Sequence, residues 1–588
     1  MTCCSLHVKE SFTVHIICTT LNAKYIHTNL AIRYLKAYAQ PEFHVELVEY
    51  TIKDPVLNIV TDLYRRKPDV VGFSCYIWNI EQTIEVIQLL KKVHPTVTIV
   101  VGGPEVSYDV AYWLERVPEF DYIVIGEGEE TFKQLLTALQ NGDDVANIAG
   151  LAFHQDGKAI INPQRNKMNL ANMPSPFRFP EDIPHLSKRV TYVETSRGCP
   201  FSCQFCLSSI EVGVRYFDRE KIKEDLRYLM KHGAKVIKFV DRTFNISRSY
   251  AMDMFQFLID EHVPGVVFQF EITADIMRPE VIEFLNKEAP PGLFRFEIGV
   301  QSTNDEVNKL VMRKQNFEKL TRTVTMVKQG GKIAQHLDLI AGLPEEDYTS
   351  FRKTFNDVFA LRPEELQLGF LKMLRGTGLR HKANEYGYVF MDRAPYEILR
   401  NNVLSFHDII RLKQVEDVLE KYWNDHRMDE TIEYIVTHLF DTPFDFFQSF
   451  GTYWDEQGWA RIGHQLEDLF RRLYSFLQTT NTDDLPIVEA LMKYDYLRHQ
   501  KQKPRKPWWD EKTDKHMRAR VYEKLSEQPH LLSLSEKELF KHTVVELIPF
   551  DLPHYLQTKH IRHCHMAMIV YFNQTTMKAE TYFLEMEK

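Results

Sequence analysis

The sequence predicts an α/β protein built as three consecutive regions: a doubly wound open sheet, a partial (β/α)6 barrel, and an α-rich domain ending in a β-hairpin. Three observations predict it. The first 150 residues alternate short β-branched apolar runs with amphipathic stretches; a second such series begins near residue 190; and from about 385 the apolar residues recur at helical spacing. A chain of 588 residues is too long for one core. The expected division is 1–150, a linker over 151–189, 190–385 and 386–588.

The strands of the first region are TVHIICTT (13–20), FHVELVEY (43–50), DVVGFSCY (69–76), TVTIVVGG (96–103) and DYIVIGEG (121–128). Runs with so little charge are typical of strands buried on both faces of a parallel sheet. Between them, NLAIRYLKAYA and IEQTIEVIQLLKKV have helical periodicity. Two strands end in glycines, Gly102-Gly103 and Gly126 with Gly128. Glycine lets backbone approach a ligand closely, and ligands of open α/β sheets sit at the carboxyl ends of strands. The region therefore reads as a cofactor domain. No G-x-G-x-x-G follows the first strand, which weakens a dinucleotide reading; a nucleotide-binding or merely structural sheet stays open as the alternative.

LANMPSPFRFPEDIPHLSKR (170–189) is rich in proline and polar residues and reads as a linker. Six further strands follow: VTYVETS (190–196), KVIKFVD (235–241), VVFQFEIT (266–273), LFRFEIGV (293–300), IAQHLDLIAG (333–342) and ELQLGFLKML (365–374). Helical patterns such as REKIKEDLRYLMKHG separate them, which suits an open barrel. Beyond it, YEILRNNVLSFHDIIRLKQVEDVLEKYWN and ARIGHQLEDLFRRLYSFLQ are helical, and HMAMIVYFNQTTMKAETYFLEM alternates around a polar turn.

Hydrophobic content of 44%, charge of 26% and a net charge of −9 suit a soluble globular protein and give no global reason for nucleic-acid binding. Eight cysteines without a disulfide spacing point to a reducing, cytoplasmic compartment. The first residues do not read as a signal peptide, and no run reaches the roughly 18 apolar residues of a membrane span.

Three cysteines stand apart from the rest. ETSRGCPFSCQFCLSSI (194–210) holds Cys199, Cys203 and Cys206, on the loop after the first barrel strand, while Cys3, Cys4, Cys18, Cys75 and Cys564 are scattered. That loop lies at the catalytic end of a βα barrel. An iron–sulfur cubane normally takes four thiolates, so three leave one iron open. Zinc would need a fourth protein ligand, which His185 or His232 could supply only by an accident of folding.

Cys-x3-Cys-x2-Cys with an aromatic, Phe205, before the last cysteine resembles the signature of the radical S-adenosylmethionine (SAM) enzymes. The resemblance implies a [4Fe–4S] cluster on the three cysteines. Its open iron would be chelated by the amino and carboxylate groups of SAM, which is then cleaved to a 5′-deoxyadenosyl radical. It further implies SAM-binding groups at later strand ends: Phe205 itself, Asp241 in FVDRTFN, Glu271 in FEITAD, and Gln301 with Ser302 in IGVQS, with AGLP (341–344) closing the series. A lone carboxylate at a strand end is as often a helix cap; the ordered series favours the functional reading.

A doubly wound sheet ahead of such a barrel resembles the cobalamin-binding subfamily, over residues 10 to 380. The implied fold is a Rossmann-like cobalamin-binding domain followed by a radical SAM barrel. The implied cobalamin contacts are Asn22, His27 and Asn29 in the first loop, Ser74, the run Gly102, Gly103 and Glu105, and Gly126 with Glu127. Methionine-synthase-like domains supply a cobalt-binding histidine within Asp-x-His-x-x-Gly. Aligned on His27, this chain has Tyr25 and Leu30 where the Asp and Gly belong. A metal-bound histidine usually needs such a carboxylate behind it, so base-off cobalamin with no histidine on cobalt is expected.

The function implied is a cobalamin-dependent radical SAM methyltransferase acting at an unactivated carbon or at phosphorus. It would use an external electron donor such as flavodoxin or ferredoxin and a small-molecule substrate. Two alternatives stay open: a non-methylating rearrangement or oxidation with the same cofactors, and RNA modification through a carboxy-terminal RNA-binding module. The stretch KYDYLRHQKQKPRKPWWDEKTDKHMRARVYEKL (493–525) interleaves cations with aromatics, yet reads better as a solvated loop. HIRHCHM (560–566) leads into a strand whose neighbouring side chains diverge, and reads as structural.

Overall fold

The computed structural model describes residues 14–210, 212–510, 513–528, 532 and 534–587. Cys3, Cys4 and the first residue of the expected opening strand lie outside the described residues. The chain divides into two compact units, one of residues 1–347 with 370–405 and one of 348–369 with 406–588.

In the first unit, each of the five apolar runs of the amino-terminal region forms a strand: β1 (Ile16–Asn22), β2 (Val45–Thr51), β3 (Val70–Ser74), β4 (Thr98–Gly102) and β5 (Tyr122–Val124). They are parallel, in the order β2-β1-β3-β4-β5. Alternate residues of the same strands feed two separate cores. Ile17, Val71, Ile99 and Val101 pack with Ile59, Leu63, Ile84 and Trp113, from the helices Val56–Arg66, Ile80–Val93 and Val110–Arg116. Ile16, Cys18, Val70 and Val100 pack with Ile32, Phe132 and Leu135, from the helices Leu30–Ala39 and Glu129–Asn141. Helices therefore cover both faces, which is why β1, β3, β4 and β5 carry no charge, whereas β2, next to β1 alone, carries Glu46 and Glu49.

The stretch expected to be a linker is built into the unit. β6 (Leu151–Gln155) and β7 (Lys158–Ile161) form an antiparallel hairpin that extends the sheet beyond β5. Its turn, Asp156-Gly157, has φ of 51° and 73°, the pair of positive angles a two-residue hairpin loop requires. Further on, Leu170, Met173, Phe177 and Phe179 are buried. Arg33 bonds Asp182 at 2.6 Å and Glu49 at 3.0 Å, and Arg189 bonds Glu49 at 2.6 Å.

The second series opens with β8 (Val190–Val193). A short antiparallel ladder follows, β9 (Ser196–Arg197) with β10 (Arg215–Tyr216), and then β11 (Val236–Phe239), β12 (Val267–Ile272), β13 (Phe294–Gln301) and β14 (Ala334–Ala341). β8, β11, β12, β13 and β14 neighbour one another in that order and are parallel. Burial alternates strictly along β12, β13 and β14. Phe268, Phe270, Phe294, Phe296, Leu337 and Leu339 are fully buried, whereas Lys238, Gln269, Glu271, Glu297 and Asp338 fall on the other face and are half-buried. Side chains alternate across a strand, so this sheet has one apolar face and one polar face. The chain then forms β15 (Glu365–Phe370), whose residues through Gly369 belong to the second unit. YEILR, expected to be helical, instead forms β17 (Ile398–Arg400), paired in the first unit with β16 (Val389–Phe390); the helix begins only at Phe406.

The second unit is mainly helical, with Phe406–Leu419, Asp429–His438, Pro443–Glu456, Leu466–Thr479 and Leu485–Arg498. The expected hairpin forms as β19 (His563–Asn573) and β20 (Lys578–Glu585), and a further strand, β18 (Thr543–Phe550), joins it. The basic aromatic stretch does include a loop, between the helices Leu485–Arg498 and Lys515–Ser526, with Lys501, Arg505 and Lys506 exposed, but its two tryptophans are not solvated. Trp508 and Trp509 are buried, Trp509 donates to Glu546 at 3.1 Å, and Lys493 bonds the same carboxylate at 3.0 Å. Among the described residues, HIRHCHM included, no group of His, Cys, Asp and Glu is arranged to hold a single metal ion. No helix of the described residues is long and apolar enough to cross a membrane.

Candidate functional site

The cysteine loop is rooted where β8 ends. The β9–β10 ladder closes its base, and Asp241, at the end of β11, fixes the approach to it. The Asp241 carboxylate accepts from the Thr195 amide at 3.1 Å, the Thr195 hydroxyl at 2.7 Å and the Ser196 hydroxyl at 2.5 Å. It is 1% exposed, and burial pushes its pKa up against these donors. Further along, the Gln204 amide donates to the Val311 carbonyl at 2.9 Å, and the Leu379 amide donates to the Gln204 carbonyl at 2.9 Å. The Ser209 hydroxyl donates to the carbonyls of Cys203 and Cys206.

Cys199, Cys203 and Cys206 all line one cavity of about 270 Å³, on the polar face of the second sheet. Phe205, Glu271 and Gln301 line it too. Asp241 and Ser302 do not: Asp241 is spent on the loop root, and Ser302 is buried and donates to Glu346 at 2.6 Å. Burial raises the pKa of the Cys199 and Cys203 thiols. The Arg313 guanidinium opposes this at Cys203, and Thr243 and Arg242 oppose it at Cys199. Burial likewise pushes Glu271 up, against Arg242 and Lys238. Gln301 sits at a register shift of β13 with φ of 70°, and its side-chain oxygen is buried with no protein partner. Gly299 makes room for it, since a Cβ there would lie 2.5 Å from the Gln301 amide nitrogen.

Three thiols around one open cavity, beside a buried amide oxygen without a partner, fit a cluster with a free coordination position. A closed zinc site does not fit as well. His185 bonds Tyr25 at 3.3 Å, His232 bonds the Tyr228 carbonyl at 2.8 Å, and neither lines the cavity.

A second cavity, of about 450 Å³, opens at the carboxyl ends of β3, β4 and β5. Ser74, Gly102, Gly103, Gly126 and Glu127 line it, among apolar walls that include Phe73, Val101 and Phe132. Gly126 has φ of 74° and nothing within 4 Å of where a Cβ would stand, so its backbone is open to a ligand. Gly103 is required for a different reason. At φ of 110° a Cβ would lie 2.5 Å from the Cys75 carbonyl oxygen, so the glycine lets two loops of the sheet close on each other. Burial disfavours the Glu127 carboxylate, but Arg215 at 2.5 Å, the Met168 amide at 2.9 Å and Arg197 at 3.4 Å hold its pKa low.

The other four residues expected here stand behind the wall. Asn29 caps the helix Leu30–Ala39 and donates to the hydroxyl of Tyr76, which lines the cavity. Asn22 donates to the His27 carbonyl and to Glu49, both at 3.1 Å. Glu105 accepts from the Tyr396 hydroxyl at 2.5 Å. The His27 Nδ1 lies 2.7 Å from the Tyr192 hydroxyl, and burial, then Lys24, push its pKa down. The sequence reading missed Arg197, Arg242 and Arg313. Arg242 and Ser208 line both cavities, so the two cavities adjoin.

Three family models match the chain: a B12 binding domain over residues 16–136, the Radical SAM superfamily over 193–358, and a protein family of unknown function (DUF4080) over 384–571. An uncharacterized methyltransferase of Pyrococcus horikoshii is 31% identical over 234 residues, 38% of this chain and 51% of the relative. The cobalamin-dependent radical SAM methyltransferase TokK of Streptomyces tokunonensis is 26% identical over 378 residues, 60% of this chain and 55% of the relative. The chain thus spans about half the length of the curated relatives it matches. The solved structure of the radical SAM methyltransferase TsrM from Kitasatospora setae, with cobalamin and a [4Fe–4S] cluster bound, shares the fold. Its TM-score is 0.56 at 16% identity, over 65% of this chain and 78% of that one. The chain therefore joins a B12-binding domain to a radical SAM domain and continues into a carboxy-terminal region of unknown function.

Proposed function

We propose that this chain is a cobalamin-dependent radical SAM enzyme that methylates an unactivated carbon, or phosphorus, of a small molecule. One observation carries the reading: the cavity lined by the three cysteines adjoins the glycine-lined cavity of the first sheet through Ser208 and Arg242. Cys199, Cys203 and Cys206 would hold a [4Fe–4S] cluster, with Phe205, Glu271 and Gln301 beside its SAM. Ser74, Gly102, Gly103 and Gly126 would cradle cobalamin. When bound, these cofactors supply an organic radical and a transferable methyl group.

The chain's own residues do the rest. Asp241, through Thr195 and Ser196, holds the cysteine loop in place. Phe73, Val101 and Phe132 give the larger cavity an apolar wall, which would help keep water from reactive species. The five-strand parallel sheet with its polar face supports the reading of a partial barrel. The curated relatives named as methyltransferases favour methyl transfer, and an external reductant such as flavodoxin or ferredoxin would supply the electron.

The test is product analysis. Anaerobically reconstituted protein, given SAM, cobalamin, a reductant and a metabolite extract, should form S-adenosylhomocysteine alongside 5′-deoxyadenosine. 5′-Deoxyadenosine without S-adenosylhomocysteine would overturn methyl transfer in favour of a rearrangement or oxidation. Neither product, from protein that carries the cluster, would overturn radical SAM chemistry.

A further inference from the structure

We propose that Arg242 is the anion-recognising residue of the substrate site, so that the molecule acted on carries a carboxylate or phosphate group. The identification of that molecule as the methyl acceptor rests on the function proposed above; the anion site itself does not.

Arg242 stands at the seam between the two cavities, lining both. A molecule that must meet a cofactor in each would have to pass this side chain. The other cations around the cavities are already hydrogen-bonded or ion-paired within the protein. Arg197 is held by Glu129 at 2.6 Å, Glu194 at 2.7 Å and Glu127 at 3.4 Å. Arg313 donates to the Gly299 carbonyl and to Gln315, and Lys238 is paired with Glu297 at 2.6 Å. Among the described residues, the Arg242 guanidinium has no hydrogen-bonding or ion-pair partner. It is felt electrostatically by Glu271 and by Cys199, yet neither bonds it.

The backbone beneath this free side chain is fixed on both sides. Asp241 is tied to Thr195 and Ser196. Three residues beyond Arg242, Thr243 and Phe244 being between, Asn245 and Thr273 exchange a reciprocal pair, each contact 2.9 Å. The Thr243 hydroxyl donates to the Arg242 carbonyl. The anchored backbone fixes the root of this exposed, unpartnered guanidinium at the seam. A guanidinium stays charged at any working pH and offers a planar fork that matches carboxylate and phosphate.

Inorganic phosphate and succinate serve as probes, with the full-length protein carrying its cofactors, by isothermal titration and by phosphorus NMR line broadening. Wild-type protein should bind phosphate saturably. Arg242→Gln should weaken it about tenfold or more, as expected when a charge-assisted contact is lost, and Arg242→Lys should fall between. In both variants the SAM-induced change in the cluster's electron paramagnetic resonance spectrum and the cobalamin content should stay at wild-type levels. Equal phosphate and succinate affinity in wild type and Arg242→Gln would overturn the proposal. So would loss of SAM affinity, which would assign Arg242 to the SAM carboxylate, or loss of cobalamin, which would assign it to the cofactor's own phosphate. Failure of the cofactor reading looks different: the protein would take up no cluster, while the wild-type and Arg242→Gln comparison with phosphate would still decide the anion site.

Discussion

At the scale of single residues, neighbours in the sequence divide into structural and site roles in ways that spacing cannot reveal. Asp241 and Arg242 are adjacent, yet one is sealed against Thr195 and the other lines both cavities. Adjacent side chains at a strand end point to opposite sides, and which side is the cavity depends on partners 45 and 46 residues upstream. Asp241→Asn should therefore lower the melting temperature and the iron content together. A variant that kept both and lost only SAM affinity would restore Asp241 to the cofactor site. Glu271→Ala should do the reverse, weakening SAM cleavage while leaving the cluster spectrum intact. The three cysteines were legible because their separations are local; Arg313, which faces Cys203 from another part of the chain, was not. Gly103 was legible as a special glycine, but for a second reason besides ligand approach. Gly103→Ala, forced into positive φ and against the Cys75 carbonyl, should cost about 2 kcal/mol or more in thermal or denaturant unfolding. An unchanged midpoint would contradict this.

At the scale of elements, the strands were legible because burial on two faces and burial on one face leave different patterns. The continuous apolar runs of β1, β3 and β4 read as a sheet covered on both sides, and the alternation of β12 to β14 carries a polar face that became the cysteine cavity. The hairpin β6–β7 was missed because its strands are only 5 and 4 residues long, although Asp156-Gly157 is a turn signal in its own right. The segment after it reads as a tether from composition, but Asp182 and Arg189 pin it to the first sheet through Arg33 and Glu49. Burial disfavours the Glu49 charge, but Arg33 and Arg189 override it and bring its pKa from 4.5 to about 2. A carboxylate with a depressed folded pKa contributes stability that is complete above the unfolded value and is lost as pH falls from about 4.5 towards 2. At neutral pH, Glu49→Gln should cost about 3 kcal/mol, and that difference should shrink below pH 4.5. A difference that stayed constant from pH 7 to pH 3 would contradict the ion-pair account.

At the scale of the whole molecule, two adjoining cavities of one compact unit would hold the two cofactors. The resemblance of the sequence anticipated both cofactors, while the adjacency came only from folding, since the loop of Ser208 and the loop of Arg242 meet the glycine-bearing strand ends across a large sequence separation. His27, bonded to Tyr192 and outside the cavity, should leave cobalt without a histidine ligand. His27→Ala should not alter the electron paramagnetic resonance spectrum of the cob(II)alamin form, and nitrogen splitting lost in that variant would make His27 the axial ligand. The most direct test of the central claim uses the same signal. In anaerobically reconstituted protein loaded with both cofactors, reducing the cluster should broaden or speed the relaxation of the cob(II)alamin signal by spin–spin coupling. The effect should vanish when Cys199, Cys203 and Cys206 are all replaced by alanine. A fully loaded protein whose cob(II)alamin signal ignores the redox state of the cluster, or one that binds stoichiometric zinc in place of iron and sulfide, would contradict the account.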